Sequence, residues 1–308
     1  MAKPLTRLVR RLCNKIGYDF VRLQNIRLYE GSESGLGQSG GFDAFEKTLP
    51  RPIEAFDIYF RSCARIEIHG QDRARINRAP KSEVLKRSLT SLVKSINYAV
   101  NLGLTVPLTL RVIDDHSSEE VIEAVKLIIG QCQCPVRIHS LEQMGLSFSL
   151  RRSYELARSE AKDVIYFIED DYLHDRRSIL ATVESYGRLA STVNSDVILF
   201  PADYPALYRR IYPTQIILGS DRHWRRIGAM TGTQVIPQSL LRANWDTYVK
   251  FATYGTDPAI TEDNTINRIL DRVPGFSPLP ALAVHFQQLD TMSPYVDWER
   301  WSENAEQT

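Results

Sequence analysis

The chain has 308 residues, 43% of them hydrophobic and 24% charged. That is the balance of a globular protein, and it excludes whole-chain disorder, collagen-like repeats and a disulfide scaffold. Thirty-eight Lys and Arg stand against 37 Asp and Glu, a net charge of +1, so no global field recruits nucleic acid and none is expected as a partner.

Residues 3–23 read as a basic amphipathic helix. Leu5, Leu8, Val9, Leu12 and Ile16 share one stripe, and Lys3, Arg7, Arg10, Arg11 and Lys15 fill the rest. Such a helix lies on an anionic membrane surface or docks on its own domain with a solvated basic face. The glycine- and serine-rich stretch within residues 30–52 cannot build a core and reads as a linker or loop. The expected organisation is therefore 1–52 as helix and linker, 53–290 as the globular domain and 291–308 as a C-terminal tail.

From Ile53 onward, strands and helices alternate. Asp57–Phe60 is strand-like, and Ser82–Asn101 is a helix with Leu85, Leu89, Leu92, Val93 and Ile96 on one face. Leu108–Ile113 is a strand ending at Asp114-Asp115, and Ser118 caps a helix reaching about Ile129. A strand at Val136–Ser140 and a helix at Ser147–Ser159 follow. Val164–Ile168 is a continuous apolar strand that ends at Glu169-Asp170-Asp171. Beyond it come a strand at Val197–Phe200, a Tyr- and Pro-rich stretch, a strand at Thr231–Ile236, and helices at Gln238–Ala252 and Glu262–Leu270. Apolar strands separated by helices predict an α/β fold: a Rossmann-like, mostly parallel sheet covered on both faces. Functional groups in such sheets collect beyond the carboxyl ends of the strands, where both acidic clusters lie.

Four cysteines are present, Cys13, Cys63, Cys132 and Cys134. The lone C-x-C lacks the second pair a zinc site requires, and reduced thiols are expected. No apolar run approaches the ~20 residues of a membrane span, and the N-terminus lacks the apolar core of a secretory signal. A cytoplasmic location is expected, with possible peripheral membrane contact through residues 3–23.

Three adjacent acids at the end of a buried strand repel one another unless a cation or a hydrogen-bond network compensates. Mg²⁺ or Mn²⁺ would do so, taking one or two carboxylates and filling its remaining positions with substrate phosphates. Asp114-Asp115-His116-Ser117 can contact a nucleoside, or simply build an Asx turn and cap the next helix. Glu262 and Asp263 open a helix, where the dipole favours negative charge and a general base could stand. His285, within Leu282–Phe286, reads by itself as a core residue. Arg222, Arg225 and Arg226 are either cations for a leaving diphosphate or a solvated basic loop.

In this order the segments resemble a GT-A glycosyltransferase, closest to the inverting family 2 enzymes, over about Asp57 to His285. Asp57–Arg65 resembles the first strand and its nucleotide loop, and Val112–Ser117 the V-V-D-D-x-S segment. Gln143-Met144-Gly145 with Leu150–Ser153 resembles N-x-G…A-R-N, with both Asn replaced. Ile168–Asp171 stands at the D-x-D position with Glu for the first Asp, and Ile260–Asp263 with Arg268-Ile269-Leu270 resembles E-D…R-x-L. The resemblance implies a metal-dependent transferase that moves a sugar from a nucleotide-diphosphate sugar to an acceptor hydroxyl with inversion, in polysaccharide or glycoconjugate synthesis, on a carbohydrate or lipid-linked acceptor. Arg65 and Asp115 (or Asp114) would hold the base, Glu169 would contact the donor ribose or sugar, and Asp170 would help bind the donor. Asp171, completed by His285, would bind Mn²⁺ or Mg²⁺. Gly232 would admit close approach of substrate, Arg225 and Arg226 would face the diphosphate, and Asp263, or failing it Glu262, would be the base. A nucleotidyltransferase would carry a glycine-rich loop after the first strand, which Arg61–Ile66 does not. A catalytically degenerate scaffold is the non-enzyme alternative.

Overall fold

The computed structural model describes residues 49–64, 79–208, 214–286 and 291–306. The basic helix at 3–23, most of the linker and Arg65 lie outside the described residues.

Eleven strands are present among the described residues: β1 Phe56–Ser62, β2 Leu108–Asp114, β3 Val136–Ser140, β4 Val164–Glu169, β5 Tyr172–His174, β6 Ile198–Leu199, β7 Ile216–Leu218, β8 His223–Ile227, β9 Gln234–Pro237, β10 Gly275–Leu279 and β11 Ala283–His285. The helices are α1 Lys81–Asn101, α2 Glu119–Ile129, α3 Leu146–Glu160, α4 Ser178–Val193, α5 Gln238–Ala243, α6 Trp245–Phe251 and α7 Trp298–Glu306. Nine strands form one sheet in the order β3-β2-β1-β4-β9-β6-β10-β8-β7, and β11 and β5 form a separate ribbon. The pairings β3-β2, β2-β1, β1-β4 and β6-β10 are parallel. Only β9 and β8 run against the common direction. The fold is thus the expected α/β, Rossmann-like and mostly parallel sheet.

β1, β2 and β4 are buried on both faces because helices cover both. α1 packs with α2, α4 and α7, and α3 packs with α5 and α6. One side of α1 carries its apolar residues every three or four positions and meets the core. The same helix presents a serine stripe that docks the ribbon. Ser88 Oγ donates to the Tyr172 carbonyl (2.8 Å), Ser91 Oγ accepts from the His174 amide (3.0 Å), and Ser95 Oγ accepts from the Ile179 amide at the start of α4 (2.9 Å). Three hydroxyls therefore fix the chain immediately after the Glu169-Asp170-Asp171 run.

The second half departs from expectation in three places. The helix expected over Gln238–Ala252 breaks at Asn244 into α5 and α6, where Asn244 Nδ2 donates to the Leu240 carbonyl and Arg272 holds Asn244 Oδ1 at 2.8 Å. The segment expected as a helix over Glu262–Leu270 forms two 3-10 turns, Glu262–Asn264 and Ile266–Asp271. There Thr261, Asn264 and Thr265 bond to nearby backbone groups in place of an α-helical ladder. Residues 291–306, read from sequence as a tail, carry α7. Trp298 and Trp301 of α7 pack against a small core of Val84, Leu173, Ala281, Val284 and Phe286.

Candidate active site

Strand register assembles the site. Arg61 lies opposite Glu169 across β1-β4, and Ser62 lies opposite Asp114 across β1-β2, so the last residues of three parallel strands meet at one edge. Arg61 donates from Nη2 to Glu169 Oε1 at 2.7 Å and from Nη1 to Ser149 Oγ at 3.0 Å. Thr233, on the approach to β9, receives the Glu169 amide at 3.2 Å. Burial raises the Glu169 pKa and the neighbouring Asp171 adds to the rise, with Arg61 pulling the other way.

Asp170 turns inward and is buried. Its carboxylate accepts the Cys63 amide at 2.7 Å and Lys81 Nζ at 2.5 Å. Burial pushes its pKa up against Lys81. Burial also disfavours the Lys81 charge, but Asp170 and Asp171 outweigh it and hold the ammonium protonated. Asp171 faces His285, whose Nε2 is 3.1 Å from Asp171 Oδ2. Burial alone would raise the Asp171 pKa, yet His285, Lys81 and Arg61 hold the carboxyl well below its usual range. Burial likewise disfavours charge on His285, and the facing acids reverse that and raise its pKa. The ribbon positions this imidazole, since β11 pairs His285 with Tyr172, and the Tyr172 ring stacks on it at 5.1 Å.

Among the described residues, no three His, Cys, Asp or Glu side chains gather into a metal-binding group. Glu169 and Asp170 are engaged by Arg61 and Lys81, which leaves Asp171 and His285 as a donor pair. His285 Nδ1 is buried without a hydrogen-bond partner among the described residues. One carboxylate and one imidazole fit Mn²⁺ or Mg²⁺ where substrate phosphates complete the shell.

The other expected residues divide sharply. Asp114 is a turn builder: its carboxylate accepts Ser62 Oγ (3.1 Å) and the Ser117 amide (3.1 Å). Asp115 is buried and accepts the Gly145 amide on both oxygens at 3.0 Å. Gly145 has φ +126, a conformation that favours glycine, so this bond fixes the loop that starts α3. Gly232 lies against Glu169, and a Cβ there would stand 3.5 Å from both carboxylate oxygens.

Glu262 and Asp263 sit in the first 3-10 turn. Asp263 is exposed and accepts Asn267 Nδ2 at 2.9 Å. Asn267 in turn accepts the Met230 amide, which ties the turn to the segment bearing Gly232. Glu262 is half-buried. Burial raises its pKa, and the Glu169 and Asp263 charges add to the rise, so Glu262 feels the acidic edge.

Arg225 and Arg226 do not reach this edge. Both lie on β8, four strands from β4 in the sheet order, ~19 Å away at ~4.8 Å per strand. Arg225 is buried in an ion pair with Asp203 at 2.5 Å, beneath the Tyr208 ring at 4.4 Å. For Arg225 the expected role at the diphosphate is corrected to a structural one, since a buried guanidinium needs its carboxylate; Arg226 shares the same distant strand. Arg222 pairs with Asp221 and donates to the Pro280 carbonyl. Trp224 is core, whereas Tyr204 touches the site through its hydroxyl on Tyr172.

Sequence reading missed Lys81, Arg61 and Thr233 as partners of the acids. Arg61 was findable in principle, because two parallel strands ending together place the residue before Ser62 beside the first acid. Lys81 lies 89 positions from Asp170 and carries no local signal.

No protein-family profile matches the chain, and no curated protein sequence matches it. Among solved structures, Staphylococcus aureus TarS overlaps 72% of this chain and 36% of its own, at 13% identity and TM-score 0.42. TarS 1–349 in complex with UDP-GlcNAc overlaps 72% and 58% at 12% identity and TM-score 0.38. A UDP-glucose pyrophosphorylase complexed with UDP-glucose overlaps 82% and 97% at 10% identity and TM-score 0.43. The chain spans about a third to a half of the first two TarS chains it matches. The Rossmann-like α/β fold stands on the chain's own strand order, β3-β2-β1-β4 followed by an antiparallel β9, with the acids at the end of β4.

Proposed function

We propose that the chain is a glycosyltransferase that uses a nucleotide-diphosphate sugar and transfers the sugar to an acceptor hydroxyl with inversion. The observation that carries this reading is the Asp171–His285 pair, held at the carboxyl edge of a parallel sheet between Lys81 and a buried acidic run.

Each residue does a separate part. Asp115 and Gly145 shape the loop that faces the nucleoside. Glu169, braced by Arg61 and Thr233, presents one carboxylate oxygen edge towards Gly232 and the donor sugar. Asp171 and His285 would hold Mn²⁺ or Mg²⁺, which when bound supplies positive charge for the departing diphosphate. Lys81 works against the burial that raises the Asp170 pKa and adds a cation of its own. On the acceptor side, the base is Asp263, oriented by Asn267. It takes the hydroxyl proton as that oxygen attacks the anomeric carbon opposite the leaving group. Glu262, raised by burial and by Glu169, is the competing base. Attack from the far side inverts the centre. A carbohydrate or lipid-linked acceptor, and membrane contact through residues 3–23, belong to the same proposal. No helix among the described residues is long and apolar enough to cross a membrane.

The test is thermal unfolding with UDP, GDP, CDP and dTDP, each with and without Mn²⁺, on the wild type and Asp171→Ala. One nucleotide at ~100 times its dissociation constant should add about 2.7 kcal/mol, only with the metal and only in the wild type. Stabilisation by none of them overturns the proposal. Release of free nucleoside diphosphate from the donor sugar marks a transferase, while pyrophosphate-dependent turnover marks a nucleotidyltransferase.

A further inference from the structure

Cys132 and Cys134 take no part in the proposed transfer. They lie in the turn that joins α2 to β3, at the far end of β3 from Ser140, the residue that pairs with Asp114 beside the acidic edge. Two thiols are too few for a structural zinc site, but two that touch can react with each other.

The turn is anchored at both ends. Leaving α2, the Gln131 and Cys132 amides bond back to the Ile128 and Ile129 carbonyls at 3.2 and 3.0 Å. Entering β3, the Pro135 carbonyl accepts the Leu110 amide of β2 at 2.9 Å. Asn97 of α1 holds the residues on either side of Cys132: its Nδ2 donates to the Gln131 carbonyl and its Oδ1 accepts the Gln133 amide, both at 2.8 Å. The chain bends at Gln133 and Cys134, and the two Sγ atoms stand 3.5 Å apart. A disulfide bond is ~2.05 Å long, so closing it needs a side-chain rotation and a small shift of the turn.

The two sulfurs are not equivalent. Cys132 is half-buried, whereas Cys134 is buried and packs in the main core. The hydrogen bond between them pulls the Cys132 pKa down against burial. The same bond, and burial with it, pushes Cys134 up. Cys134 therefore keeps its proton and donates it to a Cys132 thiolate, and the thiolate is the nucleophile in thiol–disulfide exchange. The accessible sulfur is the activated one, and the sheltered sulfur is its neighbour.

We propose that Cys132 and Cys134 form a dithiol site that reduces low-molecular-weight disulfides, with Cys132 attacking and Cys134 resolving. The Cys132 thiolate bonds to one sulfur of the small disulfide, whose S–S bond breaks and releases the other half as a thiolate. Cys134 then gives up its proton and attacks Cys132 Sγ, which expels the second half as a thiol. The small disulfide gains two electrons and two protons, and the protein pair loses them to become a disulfide. That disulfide closes a ring of only three residues, and strained disulfides are the ones that exchange back readily. The site does not depend on the transferase reading.

The test is incubation of the reduced full chain with glutathione disulfide, followed by acid quenching and mass spectrometry. Trypsin releases residues 127–137, which contain both cysteines of the pair and no other. In the wild type this peptide should lose two hydrogens and carry no glutathione, and dithiothreitol should restore it. Cys134→Ser should accumulate a glutathione adduct on Cys132. Cys132→Ser should slow reaction at Cys134 by about tenfold or more, because that thiol is buried and protonated. Serine is close to cysteine in size, and circular dichroism should report an unchanged fold in both variants. The mixed disulfide should resolve at least about tenfold faster in the folded chain than in a synthetic peptide of residues 127–137, since the turn holds the second sulfur in place. A pair that stays reduced, or a glutathione adduct that persists in the wild type, overturns the proposal. Adduct formation on Cys134 rather than Cys132 overturns the assignment of roles. Equal resolution in the chain and the peptide overturns the part played by the turn.

Discussion

Two acidic turns close neighbouring regions of the same sheet edge and are solved in opposite ways. At the end of β2, Asp114 and Asp115 are buried among a serine hydroxyl, the amides of Ser117 and Gly145 and the adjacent His116 ring, with no Lys or Arg paired to either among the described residues. At the end of β4, Glu169, Asp170 and Asp171 meet Arg61, Lys81 and His285. Neutral donors fix a carboxylate in place and build loops. Cations compensate charge in a form that another cation, or a substrate's own charge, can exchange with. In the proposed function the first turn is therefore scaffold and the second carries the chemistry, although the two read almost alike as strings of acids after an apolar strand.

The largest effect should fall on the acceptor side of the second turn. Asp263→Asn should lower kcat by ~10²–10⁴, the range of a general base, with nucleotide affinity unchanged. If Glu262→Gln shows that loss and Asp263→Asn does not, the base is Glu262. Single-turnover assays with donor and acceptor would decide.

Next, Lys81→Met should destabilise the fold by about 3–5 kcal/mol, because it strands the buried Asp170 charge. Lys81→Met combined with Asp170→Asn should recover much of the loss in urea unfolding. Equal losses in the single and double variants would mean that the pair is not the compensating unit.

The ribbon offers a sharper contrast. His285 faces acids and its pKa is raised, whereas His174, two strand positions beyond Tyr172, is pushed down to about 3 by burial. Above pH ~6.5 His174 is neutral in both folded and unfolded chains and costs nothing. Below it the unfolded chain gains a proton that the folded one refuses, so stability falls as pH drops from ~6.5 towards 3. Between pH 7.5 and 5 the cost is about 2 kcal/mol, and His174→Gln should remove it. Identical pH dependence of the urea midpoint in the two proteins would contradict this.

The smallest effect should come from the scaffold turn. Asp114→Asn keeps one acceptor oxygen and should cost about 1 kcal/mol, with no change in the metal requirement for nucleotide binding. A change in that requirement would blur the division between the two turns.

The first half of the fold was legible because its signals are local. β2 and β4 are apolar runs buried on both faces, the Ser118 cap forms at the start of α2 as expected, accepting the Val121 amide, and α1 repeats at helical spacing. The second half was not. β5 and β11 are three residues long, too short to show a period. β8, His-Trp-Arg-Arg-Ile, reads as a basic loop, because nothing near Arg225 in sequence announces its partner Asp203. β10 contains Pro278, which argues against an inner strand. The carbonyls of Pro274 and Phe276 face β6, so by strand alternation Pro278 lacks its N–H on that same side, and β6 stops at Leu199.

What the sequence by itself determined is the order of β1 to β4 with their helices and the presence of acids at two strand ends, since hydrophobic period and chain direction are properties of short segments. Tertiary structure alone decided which acids are paired with cations. Register set Arg61 beside Glu169, the serine stripe of α1 seated the ribbon, and the ribbon brought His285 across 114 residues to Asp171. Charge compensation depends on distance in space, and no local pattern in the chain encodes it.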